Sequence, residues 1–196
     1  MKIIHKTLVI IILSLFAIAC QKDEYEPLKI ISTKEVIRDG KVIVEASYRN
    51  ELKKMYFILM SPNTAVVTRA TDFDPKLVNR EYYGKEVIPS EFTHYSQTYQ
   101  VVGINSNAFK YSDKLTLIVI PETVVTIGED AFTGCSVLES ITCNAKTPPE
   151  IRSLFPGYIS QYFQEIRVPQ SSVDAYKNAL GWSIYADYIV GFEDIE

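Results

Sequence analysis

The feature that most restricts this chain is an internal repeat, in which the same residue classes return between Val102 and Asn144 at a constant interval. Val102-Gly103-Ile104, Asn107-Ala108-Phe109 and Leu115-Thr116-Leu117-Ile118-Val119-Ile120 come back as Thr126-Ile127-Gly128, Asp130-Ala131-Phe132 and Leu138-Glu139-Ser140-Ile141-Thr142-Cys143. Phe132 follows Phe109 by 23 residues, and Ile141 follows Ile118 by the same 23. A unit this short cannot enclose its own apolar face, so each must stack on the next to build a shared core.

The periodicity inside a unit assigns its sides. Leu115, Ile118 and Ile120 alternate as in a strand and point inward, above Leu138, Ile141 and Cys143. A third return, Phe163-Gln164-Glu165-Ile166-Arg167-Val168-Pro169, follows with the spacing stretched to 25. Ala108-Phe109 and Ala131-Phe132 fall on the opposite side of each unit, the small Ala admitting close approach and the Phe filling the width. A period in the twenties carrying L-x-x-I-x-I marks a leucine-rich-repeat solenoid. The expected fold is mainly β with short helices, closed by a hairpin cap before the repeats and a helical cap after them.

The flanks support those caps. Asp39-Gly40 between two β-rich runs, Glu35 to Arg38 and Lys41 to Ala46, predicts a hairpin, and Ser61-Pro62-Asn63 predicts a second between Tyr56 to Met60 and Ala65 to Thr68. Val87-Ile88-Pro89 resembles Val119-Ile120-Pro121, but Glu86 stands where Ile118 stands, as suits an atypical end unit. Ser171 to Gly181 predicts a short helix with a Ser cap, whose Val173, Tyr176 and Leu180 face inward with Trp182 to close the stack.

The first residues read as an export signal: Lys2 and Lys6, an apolar run from Leu8 to Ile18, then small Ala19 before Cys20. Ala17-Ile18-Ala19-Cys20 resembles a bacterial lipobox, which makes Cys20 the lipidated residue; ordinary cleavage and a retained anchor are the alternatives. Gln21-Lys22-Asp23-Glu24 resembles the surface-display signal of Bacteroidota-type lipoproteins. The expected divisions are therefore a signal at 1–19, a lipidated tether at 20–27, a hairpin segment at 28–54 and the capped repeat domain at 55–196. Removing Lys2 and Lys6 leaves 18 basic against 24 acidic residues. That balance gives no nucleic-acid footprint and little hold on anionic lipid, so the membrane is reached through the acyl chain.

No catalytic motif is present. The mature chain has one histidine, His94, and no nucleophile elbow, HExxH, phosphate loop or dinucleotide fingerprint. Asp72-Phe73-Asp74 lacks the glycine and later Glu of a calcium loop, so neither metal nor cofactor is expected. Cys135 and Cys143 fall on repeat positions and read as small buried residues, with a disulfide between them as the competing possibility. Tyrosine is abundant, 13 in all. Its rigid amphipathic ring suits recognition of protein or sugar, though small repeat proteins also use it to cover core. The candidate binding surface is accordingly Thr116, Val119, Glu139 and Thr142 on the outward strand face, with Tyr95, Tyr99, Tyr111, Tyr158 and Tyr162 beside it.

Ile127-Gly128-Glu129-Asp130-Ala131-Phe132 with Gly134-Cys135, Leu138-x-x-Ile141, and Leu115-x-x-Ile118-x-Ile120-Pro121 together resemble the BspA-type leucine-rich repeat of Bacteroidota surface proteins. The resemblance covers about residues 55 to 196. Asn105 replaces the usual Gly and Tyr111-Ser112 replaces Gly-Cys in the first copy. It implies a non-enzymatic adhesion or binding protein on the outer membrane, exposed at the cell surface, with an unknown protein or glycan as partner. A glycan-binding accessory lipoprotein of a polysaccharide-uptake system is the alternative.

Overall fold

The computed structural model describes residues 29–48, 53–77, 82–155 and 159–193. The lipobox, the whole of the tether at 20–27 and Tyr158 lie outside them. The chain is mainly β with a few short helices. In order it runs β1 (Ile30–Arg38), β2 (Lys41–Tyr48), β3 (Lys54–Met60), β4 (Thr64–Thr68), α1 (Ala70–Phe73), β5 (Tyr83–Val87), β6 (Glu91–His94) and β7 (Gln97–Ile104). Then follow β8 (Lys114–Ile120), β9 (Thr126–Ile127), β10 (Ser140–Cys143), β11 (Glu150–Ile151), β12 (Glu165–Pro169), α2 (Val173–Asn178) and β13 (Ile189–Phe192).

Both expected hairpins form. Asp39 and Gly40 take φ of 49° and 72°, the left-handed pair that a two-residue turn needs, and β1 and β2 pair antiparallel on either side. The second turn carries Asn63 at φ 54° after a cis Ser61-Pro62 bond. β2 pairs in register with β3 across the boundary expected at residue 54.

The strands fall into two sheets. One runs β1-β2-β3-β4-β7-β9-β11, with β6 added to β7; the other runs β13-β12-β10-β8-β5 and is parallel throughout. The repeat interval is visible in both. Ile118 pairs with Ile141, which pairs with Ile166, which pairs with Ile189. On the other sheet Ile104 pairs with Ile127 and Ile127 with Ile151. β13 is thus a further rung that the repeat reading did not place, although Ile189 follows Ile166 by 23 residues.

Between the sheets lies one apolar core, organised by an aromatic ladder. Phe109 and Phe132 stack with centroids 5.3 Å apart and planes 12° from parallel, and Phe155 stands 6.2 Å beyond Phe132. Tyr82 closes the ladder at one end, 4.6 Å from Phe109, and Tyr185 at the other, 5.8 Å from Phe155. All five are buried. Cys135 and Cys143 are buried, free thiols. The Cys135 thiol meets the Phe109 carbonyl at 3.1 Å, and Cys143 lies 3.2 Å from the Tyr176 hydroxyl, which donates to the Ala145 carbonyl. Burial pushes the Cys143 thiol up to about 11.

The C-terminal segment departs from expectation. α2 stops at Asn178 because Ala179 turns to extended geometry, and neither the 3₁₀ turn at Gln170–Ser172 nor α2 has a side-chain cap. Leu180 therefore points to solvent, 92% exposed, rather than into the stack. Tyr176 and Trp182 do face the core, Trp182 donating from its indole to the Pro149 carbonyl at 2.7 Å. Gly181, at φ 83°, lets this segment close on β11: a Cβ there would lie 2.6 Å from the Ile151 carbonyl oxygen.

Candidate functional site

Thr116, Val119, Glu139 and Thr142 were expected on the outward face of the parallel sheet; the alternation puts Val119 and Thr142 there, next to inward Ile118 and Ile141, whereas Thr116 and Glu139 precede the regular pairing of β8 with β10. Val119 and Thr142 are buried, at 3% and 5%. Rungs about 4.8 Å apart set Val87, Val119, Thr142, Arg167 and Val190 shoulder to shoulder, so the middle of the row is shaded by its neighbours. These two therefore offer no contact surface. Thr116 sits at an irregularity in the β5–β8 register and is half-buried, whereas Glu139 is exposed.

The tyrosines divide. Tyr95 occupies the tip of the β6–β7 turn, 76% exposed, with Tyr95 and Ser96 both at positive φ. Tyr111 is exposed at φ 62°, the left-handed position that Gly134 fills one repeat later, and its ring lies over that glycine. Tyr162 is exposed, and Tyr99 is half-buried against Phe92. Tyr82 and Tyr185 instead cover core: the Tyr82 hydroxyl donates to the Thr68 carbonyl, and the Tyr185 hydroxyl accepts from the Leu154 and Phe155 amides. His94 is buried, its ring nitrogens 2.8 Å from Thr33 Oγ1 and from Glu35 Oε2, so it ties β6 to β1. Asp72 is held by Thr68 and Arg69, and Asp74 accepts the Lys76 amide, as in a structured turn.

A concave feature lies on the other sheet. A groove of about 550 Å³ crosses the outer face from β2 to β11, lined on the β2–β4 side by Lys41, Ile58, Met60 and Val66. Its far side is built by Asn105, Ser106, Thr126, Gly128, Glu129, Glu150 and Arg152. Its floor follows the strand register, since Ile58 pairs with Val66, Val66 with Gly103, Gly103 with Thr126 and Thr126 with Glu150. Gly103 keeps that floor low, because a Cβ there would stand 2.7 Å from Thr126 Oγ1. None of the eight described residues of the expected binding surface lines the groove.

Charges of both signs meet around the groove. Lys54 pairs with Glu45 at 2.8 Å, Lys53 with Glu86 at 3.1 Å and Lys110 with Asp130 at 3.0 Å. Lys41, Glu129, Glu150 and Arg152, two of each sign around one groove, take part in no ion pair among the described residues. Sequence reasoning saw Gly103-Ile104 and Thr126-Ile127 as repeat positions without assigning their flanking residues a face. The signal was the x-Ile-x triplet, which recurs as Gly103-Ile104-Asn105, Thr126-Ile127-Gly128 and Glu150-Ile151-Arg152.

Parallel rungs at a fixed interval, a Phe ladder between two sheets and an open outer groove define a repeat scaffold. Residues 102–181 match the model of the BspA type leucine-rich repeat region, in six copies. Similar solved structures include a leucine rich cell surface protein from Faecalibacterium prausnitzii A2-165, 23% identical, with a TM-score of 0.38 over 70% of this chain. Another is a leucine-rich repeat protein from Bacteroides capillosus ATCC 29799, at 24% identity and a TM-score of 0.44 over 70%. A third, from Bacteroides ovatus ATCC 8483, stands at 26% and 0.43 over 61%. The match spans 28%, 94% and 31% of those three chains in turn. No curated protein matches the chain.

Proposed function

We propose that this chain is a lipid-anchored binding protein of the outer membrane, displayed at the cell surface, that recognises a protein partner and catalyses no reaction. The two parallel ladders support reading it as a short solenoid, with the hairpin sheet at one end and the Tyr176–Trp182 segment at the other. The observation that carries the binding role is the groove, a preformed concavity with an apolar floor and four charges on its walls that form no ion pair among the described residues. Its described lining holds no aromatic ring, the usual platform for a sugar face, and this favours a protein partner over a glycan.

The anchor rests on Cys20 in its lipobox-like setting and on the Lys22-Asp23-Glu24 run behind it. Changing Cys20→Ala is expected to move the protein from the membrane fraction to the soluble periplasm; unchanged fractionation would contradict the lipid. Protease applied to intact cells is expected to cut the native form, and survival beside a cleaved surface control would contradict display.

A further inference from the structure

We infer that the groove binds an extended segment of its partner that carries an acidic residue and a basic residue on either side of an apolar centre. The inference rests on the protein-binding reading above and names the chemistry that the site selects.

The groove lies on the face of a sheet, where backbone N–H and C=O groups are already used laterally between β3, β4, β7, β9 and β11. An incoming chain cannot be recognised there by strand addition, so side chains must do the selecting. Val66 and half-exposed Met60 give an apolar floor near the β3–β4 hairpin, over buried Ile58. Lys41 stands at that end, and Glu129 and Glu150 stand at the β9–β11 end. With Arg152 included, the four charges sum to zero, so a ligand of a single sign gains on one wall and loses on the other. A neutral glycan leaves all four without a counterion.

A ligand with both signs separated along its length satisfies both walls. Polypeptide is the polymer that combines separated opposite charges with an apolar centre. Five strand spacings from β2 to β11 cover roughly 24 Å, which an extended chain crosses in about seven residues. Such a segment sets its acid over Lys41, its apolar side chains on Met60 and Val66, and its base between Glu129 and Glu150. Arg152, two residues beyond Glu150, adds donors for the segment's carbonyls.

A displayed library of random heptapeptides selected against the intact chain tests this. Enriched peptides should share an acidic, an apolar and a basic position in fixed order. An enriched peptide, synthesised and titrated calorimetrically, should bind about tenfold more weakly to the Glu129→Gln/Glu150→Gln protein and to the Lys41→Gln protein, and more weakly as salt is raised. Lys41, Glu129 and Glu150 are exposed and form no ion pair among the described residues, so these changes leave folding intact. Peptides that enrich but bind the variants as tightly as the parent would overturn the site while leaving a protein-binding function standing. A library that yields no binder would overturn both.

Discussion

Replacing Lys53 by Met is expected to cost the folded chain about 3–5 kcal/mol, more than any surface change should. The cause is where its partner sits. Glu86 occupies the inward row of the parallel sheet, beside Ile118 in register and in line with Ile141, Ile166 and Ile189, and it is 4% exposed. Lys53 donates to Glu86 Oε1 at 3.1 Å and also to the carbonyls of Tyr83 and Lys85. One ammonium thus neutralises a buried carboxylate and engages backbone carbonyls of β5, the edge strand of that sheet. Without it, Glu86 must stay charged in an apolar row or take up a proton, and either choice destabilises the fold. The double change Lys53→Met/Glu86→Ile continues the isoleucine row and should recover most of the loss. Urea midpoints for Lys53→Met, Glu86→Ile and the double variant decide the point, since additive losses would show that the pair is not coupled.

Glu86 also gives the stability a pH signature opposite to that of an ordinary paired carboxylate. Burial raises its proton affinity above the usual 4.5, and Lys53 only partly opposes this. The folded state then holds the proton to higher pH than the unfolded chain does. Its contribution is complete below 4.5 and is lost as pH rises through the elevated value. Relative to a Glu86→Gln variant, the native protein should therefore lose stability between acid and neutral pH.

Phe132→Ala should cost about 3–5 kcal/mol, the range for emptying a large aromatic site in a packed core. Phe132 is fully buried and is the middle rung of the ladder, between Phe109 and Phe155. Its neighbours are rungs of successive repeats, tied by backbone bonds such as Phe109 N–H to the Ala131 carbonyl, so they cannot close in on the space. Thermal unfolding followed through buried Trp182 should show one transition at a markedly lower midpoint. A loss under about 1 kcal/mol would mean that the ladder does not bear on the core as described.

The parts of this architecture that the residues spell out are those set by local chemistry or by the interval. Asp39-Gly40 specifies its turn through two positive φ angles, and the 23-residue offset specifies which isoleucines pair. The odd position of Glu86 was legible as a mismatch with Ile118, although its resolution by Lys53 was not. Phe155 escaped notice as the third rung of the ladder because Leu154 stands where Ala108 and Ala131 stand. The helix was read too long because Ser171 to Gly181 has helical spacing throughout, whereas docking Trp182 on Pro149 bends the chain at Ala179. The groove was not legible at all. β9 and β11 are two residues each, too short for an alternation to show, and they meet the β3–β4 hairpin only through β7. No local pattern reports that juxtaposition.

The most direct measurement is hydroxyl-radical footprinting of the intact chain with and without a library-selected heptapeptide. Met60 is the natural reporter, since it is half-exposed on the groove floor and its sulfur oxidises readily. Bound peptide is expected to slow oxidation of Met60 while Tyr95, Tyr111 and Tyr162 react at unchanged rates. Protection of those tyrosines, with Met60 oxidised as fast as in the free protein, would contradict it and return the binding surface to the loops.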